Sequence, residues 1–131
     1  MNNYNYDWYY LNRNNNNLFN PKEGFEKGNM FTNLYSEYKN YNSINLVPKN
    51  EQEQKLFEIQ AICFAAHDLN LYLDTHPEDQ SMFMLFQDYL KKEEKLVKEY
   101  ETKYGPMMIN SVMNANSFQW TENWPWEVKN V

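Results

Sequence analysis

Six side chains in the middle of the sequence carry the donor atoms that metal binding or acid–base work requires: His67, Asp68, Asp74, His76, Glu78 and Asp79. Their spacing argues against both. A helical metal site sets ligands three or four residues apart, as in HxxxH or ExxH, so that they share a face. No such pair occurs. His67 and Asp68 are adjacent and would point about 100° apart on a helix. Asp74 to Asp79 fall where the chain must turn, and there they serve as turn and cap groups. Cys63 and His67 are four apart, a spacing that brings a thiol near a base. Cys63 nevertheless lies in the most apolar segment of the chain, where burial raises a thiol pKa and leaves it inert. As the only cysteine, it forms no internal disulfide. No Ser/His/Asp set and no GxGxxG or GxxxxGK[ST] phosphate loop is present. The expectation is a chain without catalytic residues, metal ligands or cofactors, and so not an enzyme.

The elements that hold these residues are easier to read than any chemistry. Leu56–Leu73, LFEIQAICFAAHDLNLYL, has no Pro or Gly and only two charges, Glu58 and Asp68. On a helix, Leu56, Ile59, Ile62, Cys63, Ala66, Leu69 and Leu73 form one apolar stripe, and Phe57, Phe64 and Leu71 form a second. A helix apolar on most sides is buried on most sides. One partner helix cannot do that, so the rest of the chain, or another chain, must cover the remainder. The first long helix is expected from about Glu51 to Leu73, capped by Asn50 with Glu53 at N3. The second is expected from about Pro77 to Lys103, with Thr75 and Glu78 at capping-box spacing. Its residues Met82, Phe83, Leu85, Phe86, Tyr89 and Leu90, followed by Leu96, Val97 and Tyr100, share one broad face. Gly105-Pro106 stops it. A connection this short makes the two helices antiparallel.

The flanks are aromatic. Residues 1–20 read as a low-complexity Asn/Tyr arm with too few aliphatics to build a core, and so as disordered on its own. Residues 21–50 form a leader whose Phe25, Met30, Phe31, Leu34, Tyr35 and Tyr38 suit a short helix from about Met30 to Tyr38, packed on the exposed stripe of the first helix. Residues 51–104 are the hairpin, and residues 105–131 are a tail in which Trp120, Trp124 and Trp126 cluster. The fold class is therefore all-α: an antiparallel two-helix hairpin with aromatic-rich, largely irregular N- and C-terminal flanks packing on it. Trp anchors carry disproportionate interface energy. Trp120, Trp124 and Trp126, with Phe25, Phe31 and Tyr35, are the candidate protein–protein contacts, although the tail could equally fold back over the hairpin.

At 131 residues, aromatic content is 18%, net charge is −6 and mean hydropathy is −0.91. One modest core is the limit for such a chain. The acidity is concentrated in the hairpin, and no basic patch exists to neutralise phosphates, so nucleic acid is not expected as a partner. Neither a polybasic membrane anchor, nor a signal peptide, nor a transmembrane run is visible, so no membrane insertion is expected.

The run Leu69-Asn70-Leu71-Tyr72-Leu73-Asp74-Thr75-His76-Pro77, then Tyr104-Gly105-Pro106, then Trp124-Pro125-Trp126-Glu127, resembles the spore coat protein CotJB family. In that family a helix ending in LYLDTHP, a second ending in YGP and a terminal WPW recur in this order. The likeness spans about Glu51–Glu127. The segment Glu23-Gly24-Phe25, with Gly28 to Phe31 and Asn33 to Tyr35, looks like the leader of extended members.

The resemblance implies a non-enzymatic structural component of the bacterial endospore coat, made in the mother-cell cytoplasm and laid down at the spore coat. It also implies other coat proteins as partners, among them a manganese-catalase-like coat protein and a small companion coat protein. It carries over no catalytic or metal residues. The alternative is a dedicated binding module or chaperone for the catalase-like enzyme. Surplus apolar surface on a two-helix frame also leaves a homo-oligomer open.

Overall fold

The computed structural model describes residues 17–118. Three helices follow in order: α1 (Pro21–Lys27), α2 (Glu51–Thr75) and α3 (Gln80–Tyr104), with 3₁₀ turns at Thr32–Leu34 and Ile109–Val112. No strand occurs among the described residues; one isolated antiparallel bridge joins Leu18 to Phe31.

α2 begins where its caps place it. The Asn50 carboxamide oxygen accepts from the Glu53 amide at 2.8 Å, and the Glu53 carboxylate accepts from the Lys49 amide at 2.7 Å. Glu51 and Glu53 both sit in the first turn, where negative charge suits the helix dipole. Its C-terminus and the start of α3 depart from the expected capping box. The Thr75 hydroxyl donates to the Tyr72 carbonyl at 3.1 Å and so is taken up inside α2. Pro77 lies in a turn closed by Asp79 N–H donating to the His76 carbonyl at 3.1 Å. Asp79 is the N-cap: its Oδ1 accepts from the Met82 amide at 3.1 Å, and its Oδ2 accepts from the Tyr72 hydroxyl at 3.0 Å. α3 therefore starts at Gln80 rather than near Pro77. It ends at Gly105, whose φ of 107° favours glycine.

The hairpin is antiparallel, as cross-helix pairs show. Lys103 Nζ meets the Glu51 carboxylate at 2.7 Å, Lys55 Nζ meets Glu99 at 3.4 Å, and Gln52 donates to the Tyr100 hydroxyl at 3.1 Å. Between the helices, Ile59, Ile62, Ala66 and Leu69 pack with Met82, Tyr89 and Leu96. On α3, Phe83 and Leu90 stand 41% and 43% exposed, so the expected broad face is buried only along its centre.

The leader supplies the third side of the core. Leu18, Met30 and Phe31 are buried in the same cluster as the hairpin residues. The helix expected from Met30 to Tyr38 is absent, apart from the 3₁₀ turn at Thr32–Leu34. Its backbone groups are bonded elsewhere. The Met30 amide donates to Asp68 Oδ2 on α2 at 2.9 Å, and the Met30 carbonyl accepts from the Phe19 amide at 2.8 Å. Helix forms instead at Pro21–Lys27. Asn20 caps it by accepting from the Glu23 amide at 2.9 Å, Pro21 occupies the first turn, and Gly28 closes it at φ 75°. Gly24, inside α1, is buried against Met30.

Candidate interaction surfaces

The residues with chemical potential do not converge. Asp68 receives the Met30 amide, and Asp79 caps α3. His76 stacks on Tyr72 with rings 4.2 Å apart and 1° from parallel. His67 is exposed, as are Asp74 and Glu78. No group of three His, Cys, Asp or Glu side chains that could hold a metal ion occurs among the described residues. Cys63 is half-buried, and burial together with the adjacent Glu93 carboxylate pushes its thiol up to about 12. The thiolate is therefore scarce at neutral pH.

One charged group escaped the sequence analysis. Glu58 is 1% exposed on α2. Burial raises its carboxyl above the ordinary value, opposed by a 2.8 Å hydrogen bond from the Gln54 amide and by the charge of Lys55. Its position next to Phe57 and Ile59, both core residues, was the available signal.

The leader aromatics are engaged within the chain. Phe25 lies 5.5 Å from the Phe57 ring and 6.0 Å from the Phe64 ring, so it covers the second stripe of α2 at two of its three positions. Leu71, the third, stays 52% exposed. Phe31 is buried, with its ring 5.2 Å from Tyr72. Tyr35 is half-buried: Phe19 meets it edge-on at 5.8 Å and Lys27 Nζ lies 4.9 Å from its ring centre. Its hydroxyl is buried with no hydrogen-bond partner among the described residues. The tail contacts Trp120, Trp124 and Trp126 lie outside the described residues.

The apolar surface turned outward comes from other residues. Along the extended connector, Leu34, Tyr38, Ile44 and Val47 are each more than 60% exposed. On α3, Met84 is 65% exposed, and beyond it Ile109 and Met113 reach 80% and 78%. Monomeric proteins seldom leave this much aliphatic surface in water unless something covers it.

A protein-family model described as CotJB protein matches residues 53–127. The chain belongs to the CotJB family. Neither the curated proteins nor the solved structures yield a match. The CotJB match begins at the first turn of α2, takes in both long helices and their turn, and runs on past Trp126. The leader, which supplies Leu18, Met30 and Phe31 to the core, lies outside it. CotJB membership implies a spore coat-associated role and a spore coat location, and the family is not known as one of enzymes. Among the described residues, no helix is long and apolar enough to cross a membrane.

Proposed function

We propose that the protein is a non-enzymatic structural component of the endospore coat that takes part in coat assembly through protein–protein contacts. It is made in the mother-cell cytoplasm, and other coat proteins are its partners, including a manganese-catalase-like coat protein and a small companion coat protein. The observation that carries this reading is the exposed aliphatic and aromatic surface on a small helical frame that belongs to the CotJB family. Two of the six donor residues have structural roles, Asp68 in docking the leader and Asp79 in capping α3.

The test is capture of partners from sporulating cells with the intact chain, set beside a Tyr38→Asp/Val47→Asp variant. Both positions are exposed, so the variant should melt like the parent. Loss of several coat proteins from the variant's captured set, with disordered coat layers in a deletion strain, is the expected result. Capture of the catalase-like enzyme alone, with normal coat layers in the deletion strain, would replace this reading with the dedicated binding module.

A further inference from the structure

The connector from the leader to α2 carries no charge and no glycine from Asn40 to Pro48, and Lys39 and Lys49 bound it. Within it, Tyr41-Asn42-Ser43-Ile44-Asn45-Leu46-Val47 runs with neither turn nor bend. Tyr41, Ile44 and Val47 favour strands, and they are 44%, 62% and 74% exposed. An uncharged, exposed run of this kind is a template on which another strand can pair.

Hydrogen bonding shows which edge of it is open. Along an extended chain, successive amides point to opposite edges. The Leu46 amide donates to Glu26 Oε1 on α1 at 3.1 Å, and Lys22 Nζ of α1 reaches the Asn45 side-chain oxygen at 3.4 Å. α1 therefore occupies the edge that holds the Asn42, Ile44 and Leu46 amides. The other edge holds the amides and carbonyls of Ser43, Asn45 and Val47, and these backbone groups make no hydrogen bond among the described residues.

We propose that this open edge pairs with the same edge of a second copy of the chain, antiparallel and centred on Ile44. The register argues for a copy rather than a different protein. About a two-fold axis at Ile44, Tyr41 stands opposite the second copy's Val47, an aromatic side chain beside a β-branched one. Ser43 stands opposite the second copy's Asn45, and this pair exchanges both of its backbone hydrogen bonds. Ile44 then meets Ile44 at the narrow, non-hydrogen-bonded position, where side chains approach most closely. A slip of one residue would set Ile44 against Ser43, and one copy would have to present the edge that α1 occupies. Each chain has one open edge, so the contact closes at two chains instead of extending. A two-stranded ribbon is marginally stable by itself, so the dimer should dissociate on dilution. This inference does not rest on the coat reading, because it concerns the purified chain alone.

The test is sedimentation of the purified full chain over a range of concentrations, with two adjacent prolines compared. Ser43→Pro removes an amide from the open edge, and Asn42→Pro removes one from the edge beside α1. Neither amide is bonded within the chain, so both variants should melt like the parent. Ser43→Pro should weaken dimerisation at least about tenfold, and Asn42→Pro less than about twofold. A second readout fixes the register. In a Cys63→Ala background, Ile44→Cys should form an intermolecular disulfide under oxidised glutathione about tenfold faster than Asn45→Cys, because only residue 44 faces its own copy. A parent that stays monomeric up to about 0.5 mM overturns the proposal. Equal effects of the two prolines, or equal rates of cross-linking, also overturn it and assign any self-association to another surface.

Discussion

The two long helices have the same length, 25 residues each, and opposite characters. α2 buries eight residues, from Phe57 to Leu69, whereas α3 buries three: Met82, Tyr89 and Leu96. The difference comes from what stands on either side. α3 packs on α2 through those three residues and turns Lys91, Glu94, Lys95 and Lys98 to water. α2 is held between α3 and the leader, with Phe25 and Phe57 on one side and the inter-helix core on the other. Its alanines Ala61 and Ala65 are wholly buried and leave room for close approach. A hairpin alone would leave half of α2 wet; the leader makes it the centre of the fold.

Changes that break this contrast should differ in size accordingly. The largest effect is expected from an acid placed in α2. Ile62→Asp buries an unpaired charge at about 3–5 kcal/mol, comparable with the whole stability of a small domain, and should abolish cooperative melting. Met84→Asp on exposed α3 surface should stay within about 0.5 kcal/mol in urea titration. Equal losses at the two sites would mean that α3 is as enclosed as α2.

Next comes the leader's own contribution. Met30→Ala empties a fully buried site shared by the leader and the hairpin core, and should cost about 2–4 kcal/mol by the same titration. A cost below about 1 kcal/mol would show that the leader merely rests on α2.

The two leader glycines sharpen the comparison further. Gly24→Ala gains helix propensity but drives its methyl into the Met30 side chain, and a net loss of about 1–2 kcal/mol is expected. Gly28→Ala meets no neighbouring atom, so only its left-handed backbone at φ 75° is penalised, at about 1 kcal/mol. Restoring space with Met30→Leu should rescue the first variant and not the second.

The smallest effect concerns Glu58. Its carboxyl is raised in the folded chain, so the folded state holds a proton that the unfolded state has already released. Stability from this group is therefore full below the ordinary value of 4.5 and declines as pH rises from there through the folded value. Glu58→Gln removes the decline. Its melting temperature should exceed the parent's at pH 7, and the excess should shrink toward zero near pH 4. An increment independent of pH would show that the gain is packing and not charge.

Much of this was legible along the chain. The Asn50 cap, the Gly105 stop and the apolar run Ile59 to Leu69 fixed both helices to within three residues, because caps and periodicity are local signals. The α1 signature, Asn20-Pro21 with Gly28 closing, was equally local and was obscured by Gly24, a residue that reads as a turn until Met30 is seen packed against it.

The sequence by itself determined that α2 needs cover on more than one side, since its apolar residues occupy more of the circumference than one neighbour can touch. Only the tertiary structure decided how the leader provides it. Asp68 accepts the Met30 amide across 38 positions of sequence, and Phe19 bonds the Met30 carbonyl. Those two long-range bonds hold the leader extended where its own pattern favoured a helix, because a backbone group satisfied by a distant partner no longer needs a local one.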